Sequence, residues 1–242
     1  MGKVTPLKAS GATADYVNEL TEFVSSQLNS LRNQKKAIEM AAYMKTTMPF
    51  YGVQKPDRVP IIREIKSEYA PSSFAEYRDA LRSLWMLRYR EEKYIALNYA
   101  ESFPKYITLD AIPVYEEIIR QGQWWDFVDP VSTNLIGRVY LQKRAELKPL
   151  IEKWSEDSDM WIRRCSILVQ NRHKEKTDSE QLFRFCEKMA HEKDFFIRKA
   201  IGWALREYSK SDPQAVRRFI KKNKERLSPL SIREGSKYVD PV

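Results

Sequence analysis

The chain has 242 residues, 43% of them hydrophobic and 31% charged, a composition that supplies a sizeable core and excludes a disordered polypeptide. No run of about 18 apolar residues and no charged-then-apolar leader occurs, so the sequence predicts neither a membrane span nor a secretory signal and points to the cytosol. The formal net charge of +9 is unevenly placed: residues 1–160 hold 22 Lys/Arg and 22 Asp/Glu, whereas residues 161–242 hold 20 against 11. Such asymmetry suits a polyanion, most commonly nucleic acid; a solvated basic helix pair is the alternative.

Taken in order, the elements read as helices. Residues 1–13 form an N-terminal tail, and a helix starts at Thr13, with Tyr16, Leu20, Phe23, Val24 and Leu28 on one apolar face. Ile61, Ile62, Ile65 and Tyr69 repeat that spacing after Pro56 and Pro60. Capping side chains mark further starts at Asp110, Asp178 and Asp212-Pro213. Period-two alternation and hairpin dipeptides are missing, which predicts an all-α fold, one domain over 14–239. Cys165 and Cys186 lie inside apolar helical patterns and read as reduced, buried thiols.

A repeat runs through the second half. Asp159-Met-Trp-Ile-Arg-Arg-Cys aligns with Asp194-Phe-Phe-Ile-Arg-Lys-Ala at an offset of 35, which brings Trp124 to Val128 into phase one unit earlier. The period suggests a HEAT-like α-solenoid with repeats somewhat shorter than the usual ~40 residues. Asp129, Arg164 and Lys199 then share one repeat position and form a charged ridge. Each has an aromatic partner at helical spacing: Trp125, Trp161 and Trp203.

Blander readings stand beside these. Trp85, Trp124 and Trp161 are suited to packing between helices. Asp129 precedes Pro130, and Asp-Pro is a common N-cap and first-turn pair, so helix initiation is a second role for this acid. Arg164 and Lys199, each taken alone, read as surface charges. His173 and His191 lack metal-ligand spacing, and no phosphate loop, nucleophile elbow or dinucleotide fingerprint occurs, so neither metal nor cofactor is expected.

Tyr43-Met44-Lys45, Gly52-Val53-Gln54, the Trp124-Trp125-Asp126 to Asp129 block, Trp161-Ile162-Arg163-Arg164 and Ile201-Gly202-Trp203-Ala204-Leu205-Arg206-Glu207-Tyr208 resemble the AlkD-type DNA alkylation repair glycosylases, from about residue 14 to residue 239. The resemblance implies a HEAT-like superhelix that holds duplex DNA in its concave face. It implies Asp129 as catalytic carboxylate, Trp125 and Trp203 as walls around the lesion nucleotide, and Arg164 as a backbone-binding arginine. Tyr43, Gln54, Lys199 and Arg206 are the remaining expected DNA contacts. Phe127 and Pro130 depart from the family pattern beside the acid. The expectation is a monomeric, nucleoid-associated, monofunctional glycosylase for N7- and N3-alkylated purines; a non-catalytic DNA-binding repeat protein and a protein scaffold are the alternatives.

Overall fold

The computed structural model describes residues 11–239, and among these it contains helices and no strands. By contacts the described residues form two compact units, the first ending at Tyr106 and the second beginning at Ile107.

The first unit consists of α1 (Gly11–Ser30), α2 (Gln34–Met44), α3 (Lys55–Glu68), α4 (Phe74–Met86) and α5 (Arg90–Ser102). The expected stripe of α1 is its buried face: Leu20, Val24 and Leu28 are fully buried, packed towards α4 and α5. The helix begins two residues before the expected start, and Thr13 is buried in its first turn instead of capping it.

The second unit is a series of helix pairs. It comprises α6 (Ile112–Gly122), α7 (Trp125–Pro130), a π-helical turn (Val131–Ile136), α8 (Gly137–Gln142), α9 (Arg144–Trp154), α10 (Met160–Leu168), α11 (Ser179–Lys188), α12 (Phe195–Ser209), α13 (Pro213–Lys222) and α14 (Pro229–Gly235). The N-caps of α7, α10 and α12 are Trp124, Asp159 and Asp194, which reproduces the 35-residue offset, and Ser228 caps α14 almost one further period on. Asp159 and Asp194 each accept backbone N–H groups of the first turn, so the same local chemistry starts successive repeats. Asp178 and Asp212 cap α11 and α13 as expected; Asp110 does not cap, because a 3₁₀ turn, Leu109–Ala111, precedes α6 and leaves Ala111 at its N-cap.

Trp161 and Phe196, one period apart, pack with the N-cap residue Trp124. Trp124, Trp161 and Phe196 cluster with ring centroids 4.9–6.1 Å apart, and Trp161 and Trp85 are buried, as expected for packing tryptophans. Close approach of α12 to α14 depends on Gly202, where a Cβ would stand 2.6 Å from the Glu234 Cβ. Cys165 and Cys186 are fully buried free thiols.

Candidate functional site

Asp129 lies inside a helix. Trp124 is the N-cap of α7, and the chain continues through Pro130 into the π-helical turn, so the helix-starting role for Asp129 is ruled out. Proline removes the amide that would bond the Asp126 carbonyl. The helix accommodates this by widening: the Gly137 amide reaches back five residues to the Ser132 carbonyl. Hydroxyls serve the same stretch, Ser132 donating to the Val128 carbonyl at 2.6 Å and Thr133 to the Asp129 carbonyl at 2.9 Å. Phe127, at the second unusual position, is fully buried and contributes to the core.

The carboxylate of Asp129 is gripped from the next repeat. Arg164 Nε donates to Oδ1 and Nη2 to Oδ2, both at 2.8 Å, a bidentate pair across 35 residues. The third face of the guanidinium donates to the Phe196 carbonyl. The Arg164 side chain is 3% exposed and that of Asp129 13%. The Arg164 charge is therefore paired with Asp129 inside the protein. Burial pushes the Asp129 carboxyl above its ordinary value, the bonds and charge of Arg164 pull it back, and the Asp126 charge adds to the upward push.

The open ridge expected from the repeat is instead two closed pairs. Adding one more period to Lys199 gives Glu234, and these two also bond, at 3.0 Å. The shared position thus reads Asp129, Arg164, Lys199, Glu234, paired first with second and third with fourth. Arg206 and Lys237 reach the other oxygen of Glu234 at 2.9 Å each. Lys237 and Lys199 hold the Glu234 carboxyl down to about 2. Sequence reading missed Glu234, although counting 35 beyond Lys199 finds it.

Trp125 opens α7 one turn before Asp129 and is 36% exposed. Trp203 is half-buried on α12, its indole N–H donating to Glu207 at 3.2 Å. Glu207 also bonds Lys210 at 2.6 Å. Trp203, Glu207, Lys210, Arg172, Lys174 and Thr133 line one cavity of about 650 Å³. Thr133 connects that cavity to Asp129 through its hydroxyl bond. Arg163 and Arg198 are tied to Glu192, the first through its carboxylate and the second through its carbonyl.

Tyr43 and Gln54 belong to the first unit. Tyr43 is 76% exposed on α2, and Gln54 is the exposed N-cap of α3, with no side-chain capping bond. The loop before Gln54 is set by the buried Glu91, whose carboxylate accepts the amides of Tyr51, Gly52 and Val53 at 2.7–3.0 Å. Gly52 has φ +88° and sits where a Cβ would be 2.0 Å from the Asn33 carbonyl oxygen, so this turn requires glycine. Buried Arg58 closes the loop by donating to the Val53 carbonyl at 2.8 Å. His173 is buried between Gly137 and Arg144, with its pKa lowered to about 4 chiefly by burial, and no cluster of three potential metal ligands occurs among the described residues.

A family model for DNA alkylation repair enzymes matches residues 24–239. A solved structure described as "Predicted DNA alkylation repair enzyme from Enterococcus faecalis" is 30% identical and superposes with a TM-score of 0.79, over 87% of this chain and 98% of that one. No curated protein matches the chain.

Proposed function

Because the chain belongs to the DNA alkylation repair enzyme family, we propose that it is a monofunctional DNA glycosylase that releases N7- and N3-alkylated purines from duplex DNA as a monomer. The observation that carries this reading is the Asp129 carboxylate, clamped by Arg164 and one helical turn from the exposed ring of Trp125.

Alkylation at N7 or N3 makes the purine cationic, so it departs as a neutral molecule without protonation. The remaining demand is to stabilise an oxocarbenium-like sugar and direct water to C1′. One fixed carboxylate serves both needs, as electrostatic partner and as base. Arg164 occupies one lone pair on each Asp129 oxygen, and an ionised carboxylate offers about four sites, so acceptor capacity remains. Trp125 and Trp203 supply aromatic faces for a cationic nucleotide, contacts on the order of 0.5–2 kcal/mol each. Arg172 and Lys174 are the exposed cations at the cavity available to the DNA backbone, with Lys199, Lys210, Tyr43, Gln54 and Arg206 as further contacts.

A non-catalytic DNA-binding role is the second reading, and the bidentate closure of Asp129 favours it, since a buried ion pair can be purely structural. Incubation with methylated duplex DNA separates the two. Free alkylpurine released by the wild type and lost in Asp129→Asn supports the glycosylase; duplex binding with no release supports the alternative.

A further inference from the structure

The excess positive charge of the last third lies only partly at the candidate site. There, Arg164 is matched by Asp129, and Lys199, Arg206 and Lys237 by Glu234, while Arg172 and Lys174 beside Trp203 are exposed. Away from it, Arg184 pairs with Glu152, Lys188 with Glu156 and Arg226 with Glu187. On α13 and the turn after it the pattern changes. Arg218, Lys221, Lys222 and Lys224 are all exposed and make no ion pair among the described residues. Together with Gln214, Arg217 and one acid, Glu225, they line a surface concavity of about 570 Å³ that shares no residue with the one around Trp203.

The helix is built to present this face. Val216, Phe219 and Ile220 are buried, and Phe219 stacks on Phe183 with centroids 4.6 Å apart, which fixes the rotation of α13 and turns its cations outward. Four like charges held side by side repel one another, and nothing in the packing of α13 requires them. From Gln214 to Lys222 the helix runs roughly 12 Å. Over that length one strand of a duplex presents about three phosphates.

We propose that the outer face of α13 is a second DNA-backbone surface, separate from the lesion site, that holds duplex DNA by sequence-independent phosphate contacts. Choosing DNA over another polyanion rests on the functional reading above. The surface raises the residence of the protein on undamaged duplex and takes no part in base release.

The test compares wild type with the quadruple variant Arg218→Gln, Lys221→Gln, Lys222→Gln, Lys224→Gln, after melting curves establish equal folding. Affinity for undamaged duplex is measured across salt concentrations. Base release is measured in single turnovers with methylated duplex at saturating protein. The inference predicts that log K against log salt flattens by about 0.9 for each phosphate that is no longer neutralised, with release at saturation unchanged. A companion variant carrying Lys221→Arg, Lys222→Arg and Lys224→Arg keeps the wild-type slope. Unchanged slope and affinity in the quadruple variant overturn the inference, as does loss of binding to anionic lipid vesicles with duplex affinity intact. Absence of base release by the wild type overturns the glycosylase reading alone, because the salt slope still reports on α13.

Discussion

Asp129 and Arg164 occupy the same position in consecutive repeats, and their bidentate bond joins α7 to α10 across the 35-residue period. One ion pair therefore both ties two repeats together and orients the proposed catalytic carboxylate. Breaking a buried pair from one side leaves a charge without compensation, which typically costs about 3–5 kcal/mol. Arg164→Met should lower stability by roughly that amount, and the double variant with Asp129→Asn should lose less than the sum of the two single changes. Chemical denaturation of the four proteins measures the coupling; strict additivity would show that the pair is energetically idle.

The same pair gives the proposed activity a pH dependence. In the proposed mechanism Asp129 acts ionised, and burial has raised its pKa above the ordinary 3.8. Base release should therefore fall as pH drops through that raised value. Removing the downward pull of Arg164 by Arg164→Gln raises the pKa further, so the acidic limb of the single-turnover profile should move to higher pH. A limb that stays in place would separate Arg164 from the titration of Asp129.

Glu234 behaves in the opposite sense. Its carboxyl is depressed from 4.5 to about 2, so its contribution to stability is complete above 4.5 and is lost as pH falls towards 2. Glu234→Gln should lower the melting temperature at neutral pH and remove that share of the acid destabilisation between the two values. Parallel melting curves of wild type and variant that differ equally at all pH values would contradict this.

Glu207 holds the Trp203 indole by its N–H, and its other oxygen bonds Lys210. Glu207→Gln retains an acceptor for the indole, whereas Glu207→Ala does not. The alanine variant should release base more slowly at saturating protein, the glutamine variant should stay near wild type, and both should melt within about 0.5 kcal/mol of it, as expected for partly exposed positions. Equal rates for the two variants would show that the orientation of Trp203 does not depend on this bond.

Local chemistry made most of the fold legible. Apolar periodicity marked α1 and α3, Asp178 and Asp212 marked the starts of α11 and α13, and the offset of Asp159 and Asp194 gave the repeat that the N-caps reproduce. Thr13 and Asp110 misled because a capping residue type says nothing of whether packing will bury it or a 3₁₀ turn will intervene. At the site, the sequence placed Asp129, Arg164 and Lys199 in one register but not how they pair. Partner choice depends on the side-chain geometry between adjacent repeats, which periodicity does not encode. Asp-Pro was equally ambiguous: the pair commonly begins helices, and here the π turn and two hydroxyls let one continue through it.

In the proposed mechanism discrimination comes from the positive charge of the leaving purine and one fixed carboxylate. Side-by-side excision from matched duplexes carrying N7-methylguanine, N3-methyladenine, uracil or hypoxanthine tests it directly. The account predicts release of the two cationic purines, retention of the two neutral bases, and loss of purine release in Asp129→Asn and in Trp125→Ala or Trp203→Ala proteins that still fold. Efficient release of uracil, or alkylpurine release that survives Asp129→Asn, would contradict it.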